Sequence, residues 1–290
     1  MLNSAEFEAR LRRVNSRQNA QVKVLRHGFS QSAPNEQGEV AIEGMHLVEE
    51  AIRSGLRLGT VFFSESARER THKLLPQLSA HTEALLLPDD VFASAVPSET
   101  PQGIAALVRP KSFALDDVFA PPPALLVVTA GLQDPGNLGT IARSAEAFGV
   151  TGLLLGECTV SAWNCKAVRA SAGSLFRLPT LKMELAKALT EIKSRGARVL
   201  ATSSHKGALI EDADLRGPVA FLVGNEGAGL PKDVLTQADE VVAIPQSARV
   251  ESLNAGIAAS IVLYEAARQR RTSISPRRHG EHGEVFSPES

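Results

Sequence analysis

Short apolar runs alternate with segments of helical period through the second half of the chain. ALLVVTAG (124–131), TGLLLGE (151–157), ARVLATS (197–203), PVAFLVG (218–224) and EVVAIP (240–245) read as buried strands. NLGTIARSAEAFG, WNCKAVRASAGSLF, LAKALTEIKSRG, GLPKDVLTQAD and SLNAGIAASIVLYEAARQR read as the helices between and after them. Continuous apolar strands separated by helices predict a parallel sheet covered on both faces, the Rossmann-like form of the α/β class. Earlier in the chain, residues 38–66 predict a strand, a helix ending near Gly55 and a strand over LGTVFFS. LLLPDDVFASAV and QGIAALVRP add further strands and a helix. These make a small α/β unit over residues 31–110.

KSFALDDVFAPPPA follows, and its three consecutive prolines cannot continue a helix, so residues 111–123 are assigned as a linker. The second domain is then expected over 124–271, and the polar end of the chain, 272–290, as a disordered tail. Residues 1–30 read as a basic helical segment: Arg10, Arg12, Arg13, Arg17, Lys23 and Arg26 face only Glu6 and Glu8, a local balance of +4 in a chain of net charge −1. With Arg268, Arg270, Arg271, Arg277 and Arg278 near the other end, these clusters have the charge to grip phosphates, although solvated faces give the same pattern.

Composition narrows the remaining classes. No apolar run approaches the roughly 20 residues that span a bilayer, and the N-terminus lacks an apolar signal core. The two cysteines, Cys158 and Cys165, and seven scattered histidines have no metal-ligand spacing. A soluble, cytoplasmic protein without a metal is the expectation.

Candidate chemistry gathers in three loops at strand ends: DPGNLG (134–139), GNEGAG (224–229) and IPQSARVESLN (244–254). In parallel sheets ligands bind beyond the carboxyl ends of strands. Asn137 is placed to cap the helix that follows, after a turn at Asp134-Pro135-Gly136. Arg143 lies six residues further on, among neighbours too small to pair with it, and its stem leans back toward the loop. GNEGAG lacks the lysine of a phosphate loop and the spacing of a dinucleotide fingerprint, but its glycines let a flat ligand approach the backbone. Glu226 within it is either a hydrogen-bonding carboxylate or a turn residue facing water. Ser252 and Asn254 flank Leu253 at the start of the last helix, where capping needs only one of them.

Taken in order, these loops resemble the three motifs of the SpoU (TrmH) family of RNA ribose 2′-O-methyltransferases, of the SPOUT class: Asn137, Gly139 and Arg143; GNEGAGL; and Ile244-Pro245 through Ser252-Leu253-Asn254. The resemblance covers residues 124–270, and SRQNAQVKVLR with VAIEGMHLVEEAIRSG resembles, more loosely, the small RNA-binding domain that often precedes this catalytic domain. It implies S-adenosylmethionine as methyl donor, a trefoil knot in the C-terminal half, and a homodimer with shared active sites. It implies that backbone around Gly224, Ile244 and Leu253 holds the adenosyl group. It places Asn137, Arg143, Glu226, Ser252 and Asn254 on catalytic and RNA-handling positions. Family proposals also make the arginine a general base; because a guanidinium keeps its proton in proteins, the role assigned to Arg143 is charge stabilisation. Gln246, Ala248 and Gly256 depart from the methionine, glycine and serine common in the family. Ribosomal RNA is the expected substrate over transfer RNA, since a separate N-terminal domain suits an extended structured target and only one Trp and one Tyr are present to stack bases. A non-catalytic RNA-binding or ribosome-assembly factor is the alternative from another class.

Overall fold

A computed structural model describes residues 10–67, 73–204, 206–247, 249 and 251–274. Two sheets organise it. The first takes in β1 (Leu11–Arg13), β2 (Val40–Glu43), β3 (Arg57–Ser64), β4 (Glu83–Leu87) and β5 (Ile104–Arg109), in the order β1-β4-β3-β5-β2. β1, β4 and β3 run parallel, while β5 is antiparallel to both β3 and β2. Helices α1 (Ala20–Ser30) and α3 (Asp89–Ala93) cover one face through Val22, Leu25, Val91 and Phe92. Helix α2 (Met45–Arg53) covers the other through Leu47, Val48 and Ala51.

Helix α4 (Leu115–Val118) leads to the second sheet, which is parallel throughout. Its strands are β6 (Leu125–Thr129), β7 (Gly152–Leu155), β8 (Thr180–Lys182), β9 (Arg198–Ser203), β10 (Ala208–Leu209), β11 (Val219–Val223) and β12 (Glu240–Ala243), in the order β10-β12-β9-β11-β6-β7-β8. β6 and β11 are buried at every position, which is why they read as unbroken apolar runs. Alternate residues serve opposite faces. Leu125, Val127 and Phe221 join the cluster beneath α5 (Pro135–Ala147), α6 (Cys165–Ala170) and α9 (Ala255–Ile274). Leu126, Val128 and Leu222 join Leu189 and Ile192 of α7 (Leu185–Ser194) and Val234 of α8 (Lys232–Leu235). The expected doubly covered parallel sheet is therefore present.

β6 and β11 are neighbours, yet the chain leaves them in opposite directions, through α5 to β7 and through α8 to β12. Their outgoing loops diverge and leave a crevice, the place where α/β sheets bind ligands.

The two sheets are joined by the segment from α6 to Arg177. Leu175, Phe176 and Leu178 share one apolar cluster with α2 and α5. Arg177 donates to Glu146 of α5 (2.5 and 2.9 Å) and to Glu50 of α2 (2.7 Å), and Arg169 donates to Glu43 of β2 (3.2 Å). Gly173, at φ +94°, has no room for a side chain, because a Cβ would lie 2.8 Å from Glu50 Cβ.

Several expectations are corrected here. Residues 11–13 are not helical: LRR pairs with β4 as an edge strand, so the first described long helix starts only at Ala20, capped by Asn19. The segment 111–123 contains α4, whose Val118 is fully buried beside β7, so only its proline end is linker-like. α9 runs past 271 to Ile274, and the rest of the expected tail lies outside the described residues. Among the described residues, no helix is long and apolar enough to cross a membrane, and no group of three or more His, Cys, Asp and Glu is placed to hold a metal ion.

Candidate active site

The loop after β6 begins with the helix cap, and it is Asp134 that supplies it rather than Asn137. The Asp134 carboxylate accepts from Gly136 N–H (2.6 Å) and Asn137 N–H (3.1 Å), with Pro135 in the first helical position, where its missing N–H costs nothing. Asn137 is thereby freed for a longer reach. Its Nδ2 donates to Glu226 Oε1 at 3.0 Å, across 89 residues of chain.

Glu226 is not a turn residue facing water. Its carboxylate also accepts from the backbone N–H groups of Gln133 (3.2 Å) and Asp134 (3.0 Å), so the loop after β11 is pinned to the loop after β6. Burial pushes its pKa up, but the Asn137 amide and the backbone N–H groups of Asp134, Glu226 and Gln133 outweigh burial and hold the carboxyl below its ordinary value. The rest of that loop is self-supporting. Asn225 accepts from Gly227 and Ala228 N–H, donates to the Gly131 carbonyl, and pairs through its backbone with Gly229. A Cβ on Gly224 would sit 2.4 Å from the Gly229 backbone, so this glycine is required by the fold-back of its own loop.

A cavity of about 480 Å³ opens between the ends of β9, β11 and β12 and the start of α9. Gly224, Glu226, Ile244, Ser252 and Leu253 all belong to its wall. Arg143, Asn137 and Asn254 do not. Asn254 caps α9, accepting from Ile257 N–H at 3.2 Å, which leaves Ser252 without a capping task. Arg143 is exposed on α5 and makes no hydrogen bond or ion pair with any described residue. Gly139, in the same helix, lets α5 lie directly on α6: a Cβ there would meet Ala167 O and Ala170 Cβ at 2.5 Å.

Sequence reasoning missed part of this wall. Thr202 and Ser203 end β9, Ser204 follows it, and Gln246 follows β12. The signal for the first three was available, because the end of any parallel strand is a candidate position. The wall suits an adenosyl ligand. Apolar Val223, Leu230, Ile244 and Leu253 suit a flat base, Ser203 and Ser252 offer hydroxyls, and Gln246 holds one buried oxygen with no hydrogen-bond partner among the described residues.

The basic clusters are corrected as well. Arg12 pairs with Glu83 (2.5 Å), Arg13 with Glu65 (3.1 Å) and Arg17 with Asp90 (2.7 Å). Arg10 donates to the carbonyls of Leu75 and Ser79, and Arg26 to that of Ser94. The apparent surplus at the N-terminus is thus matched by acids and carbonyls distant in sequence. Arg270, half-buried, donates to the carbonyls of Leu215, Pro123, Ala124 and Gly217, and clasps α9 to the start of the second sheet. Burial lowers its pKa.

A parallel α/β sheet whose loops close a nucleoside-sized cavity beyond the carboxyl ends of its strands defines a nucleotide- or cofactor-binding enzyme fold. Comparison with known proteins makes this specific. The model described as the SpoU rRNA methylase family matches residues 124–264, and that described as the MRM3-like substrate binding domain matches residues 19–106. A Synechocystis protein named as an uncharacterised tRNA/rRNA methyltransferase is 34% identical over 268 residues, covering 91% of this chain and 96% of its own length. The Bacillus subtilis 23S rRNA (guanosine(2553)-2′-O)-methyltransferase RlmP is 31% identical over 254 residues, covering 88% and 98%. Among solved structures, the SpoU methyltransferase AviRb of Streptomyces viridochromogenes, in complex with AdoMet, matches with a TM-score of 0.78 at 28% identity, over 88% of this chain and 99% of that one. The chain belongs to the SpoU methylase family, as its three ordered motifs led us to expect.

Proposed function

We propose that this protein methylates a ribose 2′-hydroxyl of ribosomal RNA with S-adenosylmethionine as donor. The observation that carries the proposal is the convergence of two family motifs on one cavity, with the first motif tied to its rim through Asn137 and Glu226. The relative RlmP acts on 23S rRNA, and the AviRb neighbour binds AdoMet, which supports both the substrate and the cofactor. The substrate-binding family match over residues 19–106 supports the N-terminal sheet as the RNA-holding unit, and the SpoU match over 124–264 supports residues 124–271 as the catalytic domain.

When bound, the cofactor supplies an already activated methyl group, so the protein's work is orientation and charge. Gly224, Ile244 and Leu253 hold the adenosyl group in the cavity. The guanidinium of Arg143, which has no acidic partner among the described residues, holds a neighbouring phosphate in two-pronged fashion and stabilises negative charge developing on the ribose oxygen. Asn137 and Glu226 keep its helix in place against the cavity rim. Ser252 and Asn254 complete the RNA-facing loop.

We further infer a homodimer. Arg143 is outside the cavity wall of its own chain, and α9, which packs on α5 through the Ser144–Ser260 contact (2.6 Å), leaves Ile257 and Tyr264 52% and 49% exposed. Seven residues apart, these two share one helix face, and a second copy seated there would bring its α5 toward the first copy's cavity. The trefoil knot that the family carries belongs to the same proposal and concerns the loops around this cavity.

The test is methyl transfer from labelled S-adenosylmethionine by the purified full-length protein to ribosomal subunits, free ribosomal RNA and transfer RNA, followed by mapping of ribose methylation. One ribosomal nucleotide methylated by wild type but not by Arg143→Ala establishes the function. Cofactor binding without transfer to any of these RNAs would instead select the non-catalytic assembly factor.

A further inference from the structure

Gln246 is anchored at one end and free at the other. Its Nε2 donates to the Ser204 carbonyl at 2.5 Å. That contact orients the amide, since the oxygen cannot face a carbonyl. Its Oε1 is buried, in the wall of the cavity, and no described group donates to it. A buried acceptor without a donor is unfavourable unless a ligand provides one. This residue also stands where the family commonly has methionine, a far weaker acceptor.

The sheet order says which part of the cofactor falls there. Gln246 follows β12 and is tied to Ser204 after β9. Glu226 follows β11 and is tied to the loop after β6. β12 and β11 flank β9, so the strands that lead to these two residues lie two spacings apart, roughly 10 Å. Methyl transfer belongs on the Glu226 side, the rim to which the first motif is tied through Asn137. The end of the cofactor farthest from its sulfonium is the adenine.

We propose that Gln246 reads the base of the cofactor: its Oε1 accepts a hydrogen bond from the 6-amino group of adenine and rejects a 6-oxo purine, which presents an acceptor instead of a donor. The inference rests on the cofactor site proposed above.

The experiment is calorimetric titration of the full-length protein with S-adenosylhomocysteine, with its inosine counterpart and with its 2′- and 3′-deoxyribose forms. Wild type, Gln246→Leu and Gln246→Glu are compared, with circular dichroism to confirm that each variant is folded. Wild type is expected to bind the adenosine form about tenfold or more tighter. Gln246→Leu is expected to bring the two forms within about twofold, mainly by weakening the adenosine form. Gln246→Glu, which lacks the donor that holds Oε1 in place against the Ser204 carbonyl, is expected to lose the preference as well. An unchanged preference in Gln246→Leu overturns the assignment while leaving the cofactor site intact. A Gln246→Leu effect seen instead against 2′- or 3′-deoxyribose forms overturns it in favour of the sugar. Failure of wild type to bind either nucleoside form removes the cofactor site and this inference together.

Discussion

Asn137 and Glu226 meet at 3.0 Å, and their hydrogen bond joins the loop after β6 to the loop after β11. The same carboxylate takes two backbone N–H groups from residues 133 and 134, so removing its charge loosens both loops at once. Hydrogen bonds to charged groups contribute about 1.5–3 kcal/mol each. Glu226→Gln is therefore expected to lower kcat/KM by about ten- to a hundredfold. Steady-state kinetics of the variant check this, and wild-type turnover would refute the pinning role.

Arg143 should separate activity from stability. Its side chain is exposed and pairs with no described residue, so Arg143→Ala and Arg143→Lys are expected to unfold within about 0.5 kcal/mol of wild type. Transfer should nevertheless collapse in both, because lysine keeps the charge but not the planar fork. Turnover near wild type in Arg143→Lys would defeat the assigned role.

Gly139 should behave in the opposite way. Its missing side chain lets α5 touch α6, and even a methyl group would sit 2.5 Å from Ala167 O. Overpacking of this kind costs about 1–3 kcal/mol, so Gly139→Ala should lower the melting temperature by several degrees. A thermal melt at or above that of wild type would show that the helices can part without strain.

The Arg177–Glu146 pair carries a pH signature. Hydrogen bonds from Arg177 dominate over burial and hold the Glu146 carboxyl below its ordinary value of 4.5. A carboxyl depressed in the folded state contributes stability that is complete above the ordinary value and lost as pH falls through the folded one. The stability difference between wild type and Glu146→Gln should thus be level from neutral pH down to about 5 and shrink below it. Urea titrations at several pH values measure this, and a difference that grows on acidification would contradict the pairing.

Arg177 reaches further, since the same guanidinium donates to Glu50 and Ser54 of the first sheet's layer at 2.7 and 2.8 Å. Arg177→Met leaves Glu50 and Glu146 without it, and partly buried pairs of this kind cost about 1–3 kcal/mol when broken. The expected result is a lower melting temperature, with affinity for S-adenosylhomocysteine unchanged because the cavity lies elsewhere. Weakened binding of that ligand would show that the link between the sheets also shapes the cavity.

The legible parts of the fold were those where local pattern and tertiary environment agree. β6 and β11 are apolar throughout because both faces of a central parallel strand are covered. Leu11–Arg13 has one apolar residue in three and is a strand only because β4 offers it an edge. β8 and β10 are equally short edge strands, of three and two residues, and neither has a pattern of its own. Asn137 illustrates the same limit within the site. As a short polar residue before a helix it reads as a cap, yet Asp134 three residues earlier takes that task and Asn137 turns to a partner 89 residues away.

By itself, then, the sequence determined the class of sheet, the family and the three loops that carry its chemistry, because each depends on residue types at short spacing. Tertiary structure decided which loop residues face the cavity, that Arg143 pairs with no described residue while the basic N-terminus is largely paired, and that Gln246 keeps an oxygen in the cavity wall to which no described group donates. Those facts depend on contacts between residues tens of positions apart, and no local pattern records which charge will find which partner.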